Sequence, residues 1–310
     1  MVTLIDLEAN HPHQFAFRNQ LNGRAALKPF QTLCSNLTLG ITYLQLEAVT
    51  VLANVISDKD EVVSLLPHVN ILSDLLKRNY DPQLQMQTCR LVSNMALCLP
   101  TYCDEILPII PNITTCLYSS HGYVTTEALC SIANLAADSH SRTNEILSQV
   151  GIVERVVDLF ASVKCDLVVW CLRNMCSKDP NRNSSEIMVE PIVKLVMGCE
   201  EGLEKDTLAY CCFILRRYHI MVKKNKLLIE RIFKLLSHSH KGIVSNCLDI
   251  LGKLCRDSDS TTIMIDLEIP HRLAQMLIQG TVFQDECTSL LGNILKHEIF
   301  SKPPKCNKSK

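Results

Sequence analysis

One short pattern recurs along the chain at an almost constant interval: small or apolar residues, an asparagine, and a further apolar residue. It stands in EAVTVLANVIS, QTCRLVSNMAL, EALCSIANLAAD and LVVWCLRNMCS, weakens in DTLAYCCFIL and NCLDILGKLC, and returns in ECTSLLGNIL. We call the asparagine position the ladder position; it is occupied in turn by Asn54, Asn94, Asn134, Asn174, Phe213, Lys253 and Asn293, in steps of 40, 40, 40, 39, 40 and 40 residues. Self-similarity at a fixed period is the signature of a repeat architecture. The sequence therefore predicts a stack of similar units.

A second apolar segment lies between consecutive ladder segments and is often opened by Pro or Gly. These segments cover residues 66–76, 110–117, 151–160, 189–198, 229–239 and 268–278. Proline is tolerated in the first turn of a helix, where its missing N–H would have no partner. Asp and Ser residues at 57–60, 138–141 and 257–260 predict turns and helix N-caps. Each unit is thus predicted as helix, turn, helix, with a short leading helix in some repeats.

The composition fits an all-α solenoid. Apolar residues make up 47% of the chain but aromatic residues only 5%, and Trp170 is the one tryptophan. A unit of about forty residues cannot bury its apolar face alone, so stacked neighbours share one core. We predict an N-terminal extension over 1–23, a repeat domain over 24–298 and a basic disordered tail over 299–310. Residues 24–38 are predicted to be the end of an incomplete first repeat.

Cysteine usage and charge restrict the partners and the compartment. Most of the sixteen cysteines lie inside apolar helical patterns, where a free thiol behaves as a small hydrophobe. This predicts a reducing compartment, that is, a cytoplasmic or nuclear protein. The net charge of −1 argues against a global attraction to nucleic acid or anionic membrane. We expect neither nucleic acid nor a membrane as partner.

The period of 40 is typical of armadillo and HEAT units, and particular segments favour the first. LQLEAVTVLANVISDKDE resembles the second armadillo repeat of importin-α, and WCLRNMCSKDPNRNSSEIMVEPIVKLV resembles the segment that follows its fourth repeat. DTLAYCCFIL keeps an aromatic residue, Phe213, where that family's fifth repeat interrupts the asparagine ladder. The resemblance covers about residues 24–297. It implies an all-α armadillo-repeat solenoid, a right-handed superhelix of about seven repeats.

The same resemblance implies a binding site. In importin-α the ladder asparagines and the tryptophans four residues before them line a concave groove that holds an extended peptide. By this likeness the groove residues here are Asn54, Asn94, Asn134, Trp170, Asn174 and Asn293. A carboxamide both donates and accepts hydrogen bonds, so it can pair with a peptide unit. The alternative is that the asparagines are structural and cap turns or bind neighbouring loops, and that Trp170 is a core residue.

The chain also departs from that family. The positions four residues before the ladder hold Thr50, Arg90, Cys130, Trp170, Ala209, Asp249 and Ser289, so only Trp170 with Asn174 keeps the complete pair. Arg90 places a cation where a basic signal would dock. Ahead of the repeats lie about two dozen residues with few basic ones, so we expect the importin-β-binding segment to be lost or moved.

The sequence therefore predicts an importin-α-like armadillo adaptor that holds an extended partner segment in its groove. It could serve as a receptor for nuclear import signals, with transport factors as partners. The alternative is an armadillo scaffold for a cytoskeletal, ciliary or chromatin complex. No catalytic motif, Gly-rich phosphate loop or metal-ligand spacing occurs, so we predict no enzyme, no cofactor and no metal site.

Overall fold

The computed structural model describes residues 27–99, 103–178, 185–198 and 203–301, and within these it shows helices, turns and bends but no strand. The predicted all-α class is confirmed. The chain divides into two units, residues 1–180 and 181–310, which are described separately below. The remaining residues, including the whole of the predicted N-terminal extension and most of the predicted C-terminal tail, lie outside the described part of the chain.

The first unit alternates long ladder helices with shorter ones. Its helices are α1 (Leu27–Thr38), α2 (Thr42–Val55), α3 (Lys59–Leu65), α4 (Val69–Leu76), α5 (Pro82–Cys98), α6 (Ile110–Cys116), α7 (Gly122–Asp138), α8 (His140–Ser148), α9 (Ile152–Asp158) and α10 (Cys165–Lys178). Short 3-10 turns flank some of the shorter helices, at Leu66–His68, Leu107–Ile109 and Leu159–Ala161. The ladder helices are α2, α5, α7 and α10, and each contains one of the predicted asparagine segments.

The second unit continues the same alternation. Its helices are α11 (Ser185–Gly198), α12 (Lys205–Arg217), α13 (Lys226–Lys234), α14 (Lys241–Leu254), α15 (Ser258–Asp266), α16 (Ile269–Gln279) and α17 (Gln284–Ser301), with 3-10 turns at His219–Val222 and Leu235–Ser237. The ladder helices here are α12, α14 and α17. The last of them runs to Ser301, slightly past the start predicted for the tail.

Local capping signals fix where several helices begin, as the sequence predicted. The Asp58 side chain accepts a hydrogen bond from the Glu61 backbone N–H, and the Glu61 side chain accepts one from the Asp58 backbone N–H, which makes a complete capping box for α3. At the starts of α8 and α15, the side chains of Ser139 and Asp257 accept from the backbone N–H groups of Arg142 and Ser260. Each such cap satisfies a backbone N–H that the first helical turn leaves unpaired, which stabilises the helix by about 1 kcal/mol.

The core of the first unit lies between the ladder helices and the shorter helices behind them. Ladder helix α5 packs against α2 on one side and α7 on the other, and α7 packs in turn against α10. Behind this row, α4 packs on α5, α6 on α7 and α9 on α10. The contacts bury side chains such as Leu52, Leu91, Ile132 and Leu172 completely. Each contributes about 1.5–3 kcal/mol by leaving water, so the stack rests on contacts between neighbouring repeats.

The second unit repeats this packing. Ladder helix α14 contacts α12 and α17, while α13 packs on α14 and α16 on α17. Cys212 and Cys247 are both fully buried, with their sulfur atoms 4.0 Å apart as unbonded thiols. The hydrogen bond with the Cys212 thiol, followed by burial, raises the pKa of Cys247 well above its usual value. These cysteines therefore act as small core residues, in agreement with the sequence analysis.

Arginines on the shorter helices join consecutive repeats. Arg155 on α9 donates from Nε and Nη2 to the Leu117 carbonyl at the end of α6, over 3.1 and 2.7 Å. Arg231 on α13 donates from Nε to the Val196 carbonyl of α11 over 3.1 Å. Both bonds satisfy carbonyls near the C-terminal ends of helices, which lack an intrahelical partner. The sequence analysis did not find this device, because it links residues 35–38 positions apart.

A basic segment in the second unit is used internally. The Lys223 and Lys224 ammonium groups pair with Asp257 and Asp259, at 3.5 and 2.7 Å. The Lys224 backbone N–H also donates to the Ser260 hydroxyl. This segment therefore connects α12 and its following turn to α15 of the next repeat.

Candidate functional site

The candidate site is the outer row of ladder helices in the first unit, which we call the ladder face. It consists of the ladder asparagines and the residues four positions before them, which share one side of a helix because of its 3.6-residue turn. Its members are Thr50, Asn54, Arg90, Asn94, Cys130, Asn134, Trp170 and Asn174. Because α2, α5, α7 and α10 pack side by side, these residues form adjacent rungs. Asn293, the remaining predicted site residue, belongs to the second unit.

The residues four positions before the ladder lie at the boundary between core and surface. Thr50, Arg90, Cys130 and Trp170 are all half-buried. The residue immediately before each of them is fully buried, namely Val49, Cys89, Leu129 and Val169. One step along the helix thus separates core from surface at the same place on four consecutive helices. The ladder face therefore repeats regularly from one ladder helix to the next.

The ladder asparagines hold neighbouring helices together. Asn94 Nδ2 donates to the Ala53 carbonyl at 2.7 Å, Asn134 Nδ2 to the Ser93 carbonyl at 3.2 Å, and Asn174 Nδ2 to the Ala133 carbonyl at 2.9 Å. In each pair the acceptor directly precedes the ladder position of the preceding helix. A carbonyl oxygen only accepts, so this contact fixes which end of each carboxamide faces the neighbour. The ladder is thus part of the stacking of repeats.

The oxygen atoms of the same amides differ between rungs. Asn174 is only 2% exposed, and its Oδ1 accepts from Arg173 Nη1 at 2.7 Å, so both ends of this amide are occupied. Asn94 and Asn134 are half-buried. Neither Oδ1 atom is among the buried side-chain atoms that lack a hydrogen-bond partner. Asn54 is exposed on α2, the first ladder helix of the described chain. The accessible amide oxygens therefore lie at the first three rungs.

Arg90 lies in the middle of the ladder face. A hydrogen bond of 2.6 Å from the Ser131 hydroxyl to the Cys89 carbonyl holds α7 against α5, beside Arg90 and Cys130. Burial, followed by the nearby Glu127 carboxylate, raises the pKa of the Cys130 thiol to about 12, so this neighbour is neutral at physiological pH. The rungs therefore present in order a hydroxyl, a guanidinium, a neutral thiol and an indole.

Trp170 closes this series on α10. Its half-buried indole follows the fully buried Val169 and lies one turn before Asn174. An indole that is partly exposed offers an apolar surface and a π-face to a partner, and its N–H can donate a hydrogen bond. The predicted Trp170–Asn174 pair thus supplies an outward indole beside a buried structural amide.

In the second unit other residues make the inter-helix bonds at the ladder. Lys253, which replaces asparagine, donates from Nζ to the Arg216 carbonyl at 3.2 Å. Asn246, about two helical turns before Lys253 on α14, donates to the Ala209 carbonyl at 3.3 Å. Sequence reasoning missed Asn246 because it lies seven residues before the ladder position. Asn293 on α17 is exposed.

Asn293 lines an open cavity of about 380 Å³ between α14 and α17. Its lining includes three acidic side chains, Asp249, Asp285 and Glu286. Asp249 is paired with Arg216 of the preceding ladder helix at 3.1 Å. Asn293 therefore lies in surroundings of opposite charge to the Arg90 rung of the first unit.

Two further observations concern the described residues. They contain no cluster of three or more His, Cys, Asp and Glu side chains that could hold a metal ion. No helix among them is long and apolar enough to cross a bilayer.

Comparison with solved structures identifies the fold. An engineered protein from the Northeast Structural Genomics Consortium matches with a TM-score of 0.72 and 18% identity, over 86% of this chain and 68% of that one. A designed armadillo repeat protein in complex with the peptide (KR)4 matches with a TM-score of 0.56 and 16% identity, over 72% and 98% of the two chains. Computationally designed armadillo repeat proteins for modular peptide recognition match at 0.58 and 14%, over 73% and 99%.

At these identities the likeness establishes the fold, and the predicted armadillo-repeat solenoid is confirmed. No protein-family model matches the sequence. A comparison with curated proteins likewise gives no match.

Proposed function

We propose that this chain is an armadillo scaffold that binds an extended segment of a partner protein along the ladder face of its first unit. The observation that carries the proposal is the row formed by Thr50, Arg90, Cys130 and Trp170, half-buried beside fully buried neighbours on four packed helices. Such a row offers chemically distinct side chains at a regular spacing. A segment lying across the helices would meet one rung after another.

The form of the partner follows from what the face presents. The accessible Oδ1 atoms of Asn94 and Asn134 are hydrogen-bond acceptors next to the row. An extended segment has backbone groups that are not used in its own secondary structure, so it can pair with such acceptors. A folded helix has satisfied most of its backbone groups. The ladder face therefore suits an extended segment better than a helix.

Two of the structural neighbours bear on this proposal. One is a designed armadillo protein in complex with a peptide, and another set was designed for modular peptide recognition. Peptide binding in those proteins supports the same use of the fold here. The proposal is a binding function, with no catalytic step.

The finer hypothesis is a nuclear import adaptor similar to importin-α, and it rests on the sequence resemblance alone. Arg90 at the second rung argues against a lysine-rich signal there, because two cations in a partly buried groove repel each other. The role as a scaffold in a non-transport complex stays the alternative. Binding of a nuclear-localisation peptide and of importin-β, measured by calorimetry, would separate the two: the adaptor hypothesis requires at least one of them.

A displayed library of random extended peptides tests the proposal itself. We expect the whole chain to select peptides whose binding quenches or shifts the fluorescence of Trp170, the single tryptophan. Trp170→Ala should weaken the selected peptides by about tenfold, the loss of roughly 1.4 kcal/mol of contact.

Tyr80→Ala is the matched control. Tyr80 is a 75% exposed aromatic residue in the turn before α5, outside the ladder face. Its truncation should leave peptide binding unchanged. Equal losses in the two variants, or selected peptides indifferent to both, would refute a site on the ladder face.

A further inference from the structure

The ladder amides of Asn94 and Asn134 each donate to the preceding helix and keep an accessible oxygen atom. Their Nδ2 groups are taken by Ala53 and Ser93 of the preceding helices, which leaves the oxygen atoms of Asn94 and Asn134 as the accessible ends. An oxygen atom in this state can accept a hydrogen bond from a partner's N–H. A carboxamide has two N–H groups, and the bond to Ala53 uses only one of those of Asn94. The two oxygen atoms are therefore the acceptors that the site offers to backbone N–H groups of a partner.

Arg90 lies one helical turn before Asn94 on α5, which packs beside α7 and its Asn134. Arg90 is half-buried, and in the described part of the chain no carboxylate forms an ion pair with it. Its neighbours in the row are the uncharged Thr50 and Cys130. A partly desolvated guanidinium offers several N–H donors in a planar fork that matches a carboxylate.

The surrounding charges restrict where an anion could lie. The described acidic side chains on the four ladder helices are Glu47, Glu127 and Asp166, which lie seven or eight residues before the ladder positions. That is about 10–12 Å along a helix, whereas Arg90 is about 6 Å from its ladder position. The carboxylates therefore lie about 4.5–6 Å further along the helices than the row that contains Arg90, on the side away from the amides. An anionic side chain that binds Arg90 is repelled least when it approaches from the side of the amides.

We propose that the partner segment is acidic, with backbone N–H groups bound to the Asn94 and Asn134 oxygens and a carboxylate bound to Arg90. This rests on the proposed function and states its specificity. The preference is opposite in sign to that of a site for basic signals.

Three fluorescein-labelled peptides of six Glu-Ser, Gln-Ser or Lys-Ser repeats test the charge preference by fluorescence polarisation with the whole chain. The acidic peptide should bind at least about tenfold more tightly than the neutral one, as expected for one charge-assisted contact, and the basic peptide most weakly. Arg90→Gln should bring the acidic peptide to within about twofold of the neutral one, and Arg90→Glu should reverse the order.

Lys77→Glu is the charge-matched control. Lys77 is an exposed residue after α4, paired with Asp74 and outside the ladder face. It changes the net charge by the same amount as Arg90→Glu, so it should leave the order of the three peptides intact. If Lys77→Glu reverses the order as well, the preference is a global effect of charge, and the proposal is wrong.

Backbone N-methylation of the acidic peptide tests the amides separately, because it removes N–H donors without altering the carboxylates. Methylation of all serine residues or of all glutamate residues should abolish binding in at least one case. If both methylated peptides bind like the parent, the Asn94 and Asn134 oxygens do not accept hydrogen bonds from the peptide backbone.

The two proposals fail in distinguishable ways. Tighter binding of the neutral or basic peptide, still weakened by Trp170→Ala, would overturn the acidic preference and leave the peptide-binding function in place. If none of the three peptides binds and the displayed library also yields none that depends on Trp170, both proposals are refuted.

Discussion

The buried amide of Asn174 allows the sharpest test of the idea that the ladder joins the repeats. Its Nδ2 donates to the Ala133 carbonyl of the preceding ladder helix and its Oδ1 accepts from Arg173, with 2% of the residue exposed. Asn174→Ala removes both bonds. The Ala133 carbonyl can keep a helical bond, since it has two lone pairs. We therefore expect a loss of about 1–2 kcal/mol, one net hydrogen bond plus a small packing defect.

Asn174→Asp keeps the size of the side chain but replaces the donor with a second acceptor. A carboxylate oxygen would then face the Ala133 carbonyl where an N–H now lies. Leaving a buried polar group unsatisfied adds about 1–3 kcal/mol, and Arg173 offsets part of the cost of the charge. We expect Asn174→Asp to be less stable than Asn174→Ala near pH 7, by about 1–2 kcal/mol.

The pH dependence separates this cause from a general packing effect. When the introduced carboxyl group takes up a proton at low pH, its O–H can donate to Ala133, so the gap between the two variants should narrow as the pH falls. The free energy of unfolding is measured by urea titration, with Trp170 fluorescence reporting on the first unit. If the aspartate variant is as stable as the alanine variant at neutral pH, Nδ2 does not make the bond described here.

Three further predictions concern single contacts. Arg155→Met should destabilise the first unit by about 1.5–3 kcal/mol in urea titration, because a charged donor to the Leu117 carbonyl is lost. A similar loss for Arg155→Lys would show that the planar guanidinium, and not the positive charge alone, is required. Burial raises the pKa of the Cys255 thiol to about 12, so its iodoacetamide labelling, read by peptide mass spectrometry, should be slow at pH 8 and rise about tenfold per pH unit as the thiolate forms; fast labelling at pH 8 would contradict this burial. Hydrogen bonds from Ser260 lower the pKa of Asp257, so the stabilising effect of the Asp257 carboxylate is present above its unfolded pKa of about 3.9 and is lost as the pH falls through the lower folded pKa. Asp257→Asn should therefore lower the urea midpoint at pH 7 but not at about pH 2. Equal shifts of the midpoint at both pH values would show that ionisation of Asp257 is not the cause.

Much of the fold follows from local sequence. The period of the ladder segments and their apolar faces predicted the ladder helices, because each face must be buried against the next repeat. The caps at Asp58, Ser139 and Asp257 were also predictable, since a cap depends only on residues within one turn. These features need no knowledge of the neighbouring repeats.

The candidate site was less predictable because it depends on contacts between repeats. Asn54 and Asn174 occupy the same position in the pattern, yet the first is exposed and the second buried with both amide ends occupied. Which end of a carboxamide faces outward is decided by a backbone carbonyl about forty residues away. Local sequence shows that carbonyl's position along the chain but not its distance from the amide. The same reason explains why the bonds of Asn246 and Lys253 were not foreseen.

Because all ladder bonds point to the preceding helix, loss of a repeat has different consequences at the two ends of the first unit. Each described amide donor, at Asn94, Asn134 and Asn174, depends on the helix before it, and none of these bonds depends on the helix after it. Deleting α10 would therefore leave no ladder N–H unsatisfied, whereas deleting α2 would free the amide of Asn94. A freed amide at the new edge would be open to water, as Asn54 is at α2. Repeats can thus be removed from the α10 end of the row without freeing a ladder N–H. Each removal from the α2 end leaves an asparagine whose Nδ2 has lost its acceptor on the preceding helix.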